Sequence, residues 1–143
     1  MKIAVGSDHG GYNLKTEIVN YLTKNGYEVI DVGTNSTESV DYPIYGEKVA
    51  KLVSKKECSF GVVICTSGEG IMMSANKVAG VRCGIAYNDE VTRLMRLHND
   101  ANVIAFGQKF TSTSDALFRL DIFLNTPFEG GRHQRRVELI DKI

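Results

Sequence analysis

The sequence holds no H-E-x-x-H pair, no Cys/His set at ligand spacing and no EF-hand loop, so no metal ion is expected. No nucleotide loop is met either. Gly68-x-Gly70 is followed by Met73 where a dinucleotide fingerprint wants a third small residue, and G-x-x-x-x-G-K-[ST] is missing. No cofactor is therefore expected. Cysteines number three (Cys58, Cys65 and Cys83), an odd count without a C-x-x-C pair, which suggests reduced thiols in a cytosol and no disulfide frame. Neither sign of charge is in excess: Lys plus Arg and Asp plus Glu come to 17 each, so no global field recruits nucleic acid or an anionic membrane. No apolar run approaches the roughly 18 residues of a membrane span, and no apolar leader precedes the first strand. The expected location is the cytoplasm, with neither nucleic acid nor membrane as partner.

What is present is ordinary in amount and ordered in pattern. At 143 residues, 43% hydrophobic and 24% charged, the chain suits one domain over 1–143 with a sizeable core. Its most informative stretch is Ile64-Cys65-Thr66-Ser67-Gly68-Glu69-Gly70-Ile71. The apolar run before it reads as a strand buried on both faces, and 71–78 can wind as a helix. A strand that ends in a small, hydroxyl-rich turn and opens a helix points several backbone N–H groups at one spot, where the helix dipole adds partial positive charge. Such a turn can hold an anion, and the same field favours the thiolate of Cys65. The plainer reading of Cys65, a small hydrophobe closing a buried strand, stands beside it.

In chain order, strands are expected at 2–7, 28–32, 60–64, 82–86 and 103–106. Helices are expected between them: one marked by Leu14, Ile18, Tyr21 and Leu22 and ended by Asn25-Gly26, a second marked by Tyr45, Val49, Leu52 and Val53. A third follows Gly70, a fourth is capped by Asn88, a fifth follows Ser112-x-x-Asp115, and a basic last helix starts near Arg132. Residues 33–43 read as a polar turn region. Alternation of this kind gives an α/β fold: a three-layer, Rossmann-like sandwich with a five-stranded parallel sheet and helices on both faces. Ligands of such sheets bind beyond the carboxyl ends of the strands. Asp8 and His9 after strand one, Cys65–Gly70 after strand three and Lys109 after strand five should share that rim.

Gly6-Ser7-Asp8-His9-Gly10-Gly11, Asp31-x-Gly33-Thr34, Asp41-Tyr42-Pro43 and the Cys65–Gly70 loop stand in this order along the chain. Ala75-Asn76-Lys77, His98-Asn99-Asp100-Ala101-Asn102-Val103, Phe106-Gly107 and Gly130-Gly131-Arg132-His133-Gln134-Arg135-Arg136 complete the set. The chain thereby resembles the ribose-5-phosphate isomerase B family, grouped with galactose-6-phosphate isomerase subunits. The resemblance implies an aldose–ketose isomerase that interconverts ribose 5-phosphate and ribulose 5-phosphate through an enediolate, without a metal. It implies Cys65 as the base, Thr66, Ser67, Gly68, Glu69 and Gly70 as the anion hole, with Ser67 adding a hydroxyl donor, and His98 as the residue that opens the sugar ring. It further implies Asp8 and Asn99 as sugar-hydroxyl contacts, Tyr42 as a pocket wall, and His9, Lys109, Arg132 and Arg136 as phosphate contacts. The same resemblance implies a homodimer, or a tetramer built from it, in which the helix from about 131 to 143 reaches the partner's site.

From the residues alone, His98 also fits a histidine capping its own helix, and Arg132–Arg136 a solvated basic tail. Four positions depart from the family pattern: Thr66 replaces a glycine, Ser67 replaces a threonine and keeps its hydroxyl, Glu69 adds a charge to the loop, and Lys109 stands for an arginine and lacks its bidentate fork. These leave the reaction class intact and leave the sugar open. The alternatives are a six-carbon substrate (allose 6-phosphate or galactose 6-phosphate), a sugar-phosphate-binding protein without turnover, and a subunit active only beside a paralogue.

Overall fold

The computed structural model describes residues 1–143. Five strands form one sheet in the order β2-β1-β3-β5-β4. They are β1 (Lys2–Ser7), β2 (Glu28–Gly33), β3 (Phe60–Cys65), β4 (Cys83–Ile85) and β5 (Val103–Gly107), and every neighbouring pair is parallel. The helices are α1 (Tyr12–Lys24), α2 (Tyr42–Ser54), α3 (Glu69–Asn76), α4 (Asp89–Leu97), α5 (Thr113–Asn125) and α6 (Arg132–Asp141).

The central strands β1, β3 and β5 are nearly continuous apolar runs because both faces are covered. On one face Ile3, Val5, Val62, Ile64, Ile104 and Phe106 pack with Leu14, Ile18 and Leu22 of α1, Met95 of α4, and Leu120 and Phe123 of α5. On the other, Ala4, Val63, Val103 and Ala105 pack with Val49 and Val53 of α2 and Ile71 and Ala75 of α3. The expected three-layer α/β sandwich is the one observed.

Element boundaries moved in three places, each for a local reason. Tyr42 and Pro43 belong to the first turn of α2 and not to a loop, since proline's missing N–H costs nothing there. Helix α3 starts at Glu69, two residues before the expected 71, because Gly68 takes up a left-handed conformation (φ 84°) and turns the chain into the helix immediately. Strand β4 is only three residues long, at the sheet edge. The caps at Asn88 and Ser112 form as the sequence suggests: Asn88 Oδ1 accepts from the Val91 amide at 3.0 Å, and Ser112 Oγ accepts from the Asp115 amide at 3.2 Å.

One ion pair lies inside the α1–β2 seam. The Lys15 side chain is 3% exposed, and its ammonium sits 2.7 Å from Asp31 Oδ2, while Asp31 Oδ1 accepts the Gly33 amide at 2.9 Å. Removing one partner strands a buried charge. Asp31→Ala is expected to lower the unfolding free energy by about 3 kcal/mol, read as a shift of the urea midpoint with an unchanged slope. An unmoved midpoint would show that the pair is immaterial.

Candidate active site

In the strand order β2-β1-β3, successive connections leave β1 in opposite directions, so the crevice of this doubly wound sheet opens beyond the carboxyl ends of β1 and β3. Pairing of Ser7 with Ile64 sets the two following residues, Asp8 and Cys65, side by side at that crevice. Pairing of Cys65 with Gly107 brings the residues after β5 to the same rim.

The Cys65 loop is held from below. Its carbonyls at Cys65 and Thr66 accept the amides of Gln108 (3.0 Å) and Lys109 (3.1 Å). Gln108 Oε1 in turn accepts the Leu14 amide at 2.8 Å, tying the loop to the start of α1. Cys65 Sγ is buried and accepts the Gly68 amide at 3.1 Å. Ser67 Oγ accepts the Glu69 amide at 3.2 Å, which leaves its O–H to donate elsewhere. The amides of Ser67, Gly70 and Ile71 donate to nothing in the chain. Together with the dipole of α3 they form a cluster of unspent donors beside the sulfur.

Three side chains wall this pocket. Tyr42 lies against Gly70 so closely that a side chain there would come within 2.5 Å of its ring. Thr66 turns its hydroxyl onto Gly10, filling the gap between the Cys65 loop and the Asp8 turn. Asp8, 6% exposed, accepts the Gly11 amide through Oδ1 and keeps Oδ2 free. His9 Nδ1 accepts the Val40 amide at 3.1 Å, so the ring proton resides on Nε2 and points away from that contact. Glu69 and Lys109 are exposed at the rim.

The remaining expected residues lie at the opposite end of the sheet. Helix α4 runs antiparallel to the strands and ends at His98, just before β5 begins. Asn102, four residues on, bonds to Arg82 at the foot of β4. Since β5 alone rises roughly 16 Å, His98 and Asn99 cannot face Cys65 of their own chain. Helix α6 joins them there: the His133 ring stacks on that of His98 (centroids 4.2 Å apart, planes 13°), and Arg82 Nη1 meets Asp141 at 2.6 Å. Arg132 and Arg136 stand exposed on α6, paired with no carboxylate of their own chain. Asp8, His9, Tyr42, Thr66, Ser67, Gly68, Glu69, Gly70, Cys65 and Lys109 thus form one group, and His98, Asn99, Arg132 and Arg136 a second.

Sequence reasoning left Glu129 and His133 without a role. The only sign of them is their i, i+4 spacing beside a basic helix start. In the fold, Glu129 Oε2 lies 3.6 Å from His98 Nε2 and 3.8 Å from His133 Nε2. The three atoms fall within 4.8 Å of one another, close enough for a shared ion. The near-parallel rings, however, send their in-plane lone pairs side by side, so that they do not converge on one nearby point.

A family model described as Ribose/Galactose Isomerase matches residues 3–140. Ribose-5-phosphate isomerase B of Escherichia coli (strain K12) is 46% identical over 142 residues, covering 99% of this chain and 95% of that protein. The structure of Clostridium thermocellum ribose-5-phosphate isomerase B superposes with a TM-score of 0.98 at 51% identity, over 99% of this chain and 96% of that one. Ribose-5-phosphate isomerase B from Mycoplasma genitalium with bound ribulose 5-phosphate superposes with a TM-score of 0.95 at 37% identity, over 99% and 94% of the two chains.

Burial, then the neighbouring charges of His98, Arg132 and Arg136, hold the His133 imidazole below its ordinary value, with Glu129 opposing. The folded chain therefore keeps His133 neutral to lower pH than the unfolded chain does. Its contribution is complete above the unfolded value of about 6.5 and is lost as pH falls through that value toward the depressed one. Amide hydrogen-exchange protection at Val137 in α6 is expected to fall between pH 7.5 and 5 by more than at Leu120 in the core. An equal fall at both sites would contradict this.

Proposed function

This chain belongs to the ribose/galactose isomerase family, and on that premise we propose how it acts as an aldose–ketose isomerase on ribose 5-phosphate and ribulose 5-phosphate. The observation that carries the reading is the Cys65 sulfur beneath the Gly68 amide, ringed by the free amides of Ser67, Gly70 and Ile71. A sulfur that must alternate between thiolate and thiol gains from an N–H that bonds the anion more strongly. Amides aimed at one point suit an oxygen that gains charge only in the transition state, and each such donor is worth about 3–4 kcal/mol.

In the open-chain aldose, the Cys65 thiolate takes the proton from C2. The electron pair moves into the C1–C2 bond and the C1 oxygen becomes negative, facing the Ser67–Ile71 amides and the Ser67 hydroxyl. The C2 hydroxyl then passes its proton to the C1 oxygen and the Cys65 thiol returns its proton to C1, leaving a hydroxyl at C1 and a ketone at C2. Every proton removed is replaced, and no redox partner is required. Asp8 Oδ2 is free to accept a sugar hydroxyl, Tyr42 closes the side of the pocket, and His9 Nε2–H and Lys109 are donors at the rim. Gly68, Thr66, Glu69 and Gly70 shape the backbone that carries the amides.

His98, Asn99, Arg132 and Arg136 serve this reaction from a second copy of the chain. Two residue groups at opposite ends of one sheet can meet only if one protomer's foot is set against another's rim, which a two-fold homodimer achieves twice. His98 then opens the sugar ring, Asn99 contacts a hydroxyl, and the Arg132 and Arg136 forks, one turn apart, grip the phosphate dianion. The C-terminal helix is thus the arm of a homodimer, and the working location is the cytoplasm. No helix of the chain is long and apolar enough to cross a membrane.

Ribose 5-phosphate incubated with the purified protein in D2O, without added metal, is expected to give ribulose 5-phosphate carrying deuterium at C1 by proton NMR. Cys65→Ala is expected to lower kcat by roughly 10³-fold while sugar-phosphate binding, read by line broadening, persists. Wild-type turnover in Cys65→Ala would assign the base elsewhere.

A further inference from the structure

The Glu129 carboxylate has no place in the steps above, yet it stands at the second residue group, more than half exposed and facing two imidazoles. Its amide donates to the Leu97 carbonyl at 3.0 Å, at the end of α4, and the left-handed residues Gly130 and Gly131 lead from it into α6. From there Oε2 reaches His98 Nε2 at 3.6 Å. His133, stacked on the face of the His98 ring, fixes the plane of that ring. No group of the chain engages His98 Nδ1, and the ring is partly open to solvent. We propose that Glu129 is the positioning residue of ring opening: its carboxylate faces Nε2 of His98 and orients the ring so that Nδ1 delivers a proton to the sugar.

The step balances without a further reactant. His98 Nδ1 gives its proton to the ring oxygen O4 as the C1–O4 bond breaks and its electron pair stays on O4. The C1 hydroxyl loses its proton to water and becomes the aldehyde, and His98 regains a proton from solvent. Other charges face the pair. Glu90 and Arg93 on α4 pair with each other at 2.6 Å, while Arg132 and Arg136 on α6 lie beside His133 and oppose a second cation there. Asp100, beyond the end of α4, is neutralised by Arg96 and Arg82. Glu129 is therefore the one unpaired carboxylate directed at the His98 ring. The inference rests on the ring-opening role proposed above for His98.

Ribulose 5-phosphate separates the two ideas. Its C5 oxygen carries the phosphate, so the ketose cannot close a furanose ring, and loss of its C1 proton to D2O needs the base but no ring opening. Glu129→Gln is expected to lower kcat for ribose 5-phosphate by about tenfold with KM little changed. It should also move the alkaline limb of the pH–rate profile to lower pH, the direction that loss of a facing carboxylate gives. Deuterium exchange at C1 of ribulose 5-phosphate should stay at the wild-type rate. Glu129→Asp, which keeps the charge, should restore most of the limb. Equal loss in both assays would make Glu129 a merely structural residue, and an unchanged profile would remove it from the reaction. His98→Asn is the control for the underlying reading: wild-type turnover of ribose 5-phosphate in that variant would overturn the His98 role itself, whereas a loss there with no effect of Glu129→Gln would overturn only the present inference.

Discussion

The polarity of an all-parallel sheet governs everything else in this chain. Because each strand points the same way, every residue that follows a strand collects at one rim and every residue that precedes one collects at the other. Asp8, Cys65 and Lys109 are gathered at the first rim by this rule. His98, at the end of a helix that returns to the start of β5, is sent to the second by the same rule. No rearrangement of loops undoes that separation, since the strands between them are the buried core. A second copy of the chain is the economical way to reunite the two groups, and the exposed, unpaired Arg132 and Arg136 have no carboxylate of their own chain to satisfy them.

The rim with Cys65 owes its character to close backbone packing. Gly68 in its left-handed conformation lets β3 turn into α3 within three residues, so the α3 amides arrive unspent beside the sulfur. The Gln108 and Lys109 amides pin the loop from β5, and Tyr42 can lie over it because residue 70 has no side chain. Charge development on a substrate oxygen would thus meet donors already in place, which is where an enzyme of this kind gains most. Thr66 is accommodated against Gly10, so a larger residue than glycine fits the loop by using space above the Asp8 turn.

Much of this was legible in the sequence. The five strands, their alternation with helices and the caps at Asn88 and Ser112 follow from period and from hydroxyl or amide side chains at fixed offsets, signals that are local. The strand–loop–helix at Cys65 was readable for the same reason. The parallel-sheet rule correctly set Asp8, His9, Cys65 and Lys109 on one rim. Less visible were features that depend on distant partners. Tyr42 reads as a turn residue before proline, yet it opens α2, because proline's missing N–H is harmless in a first turn. Glu129 has no motif of its own; only the meeting of α4 with the turn before α6 gives it two imidazoles as neighbours. His133 looks like a solvated residue in a basic tail and is in fact buried under the His98 ring.

If each active site joins Cys65 of one copy to His98 of another, two differently damaged chains should complement each other. Cys65→Ala and His98→Asn chains, each inactive alone, are unfolded together and refolded as a mixture. Random pairing makes about half of the dimers mixed, each with one intact and one doubly damaged site, so about a quarter of wild-type turnover is predicted. A mixture no more active than its separate components would contradict the claim and require both residues to act within a single chain.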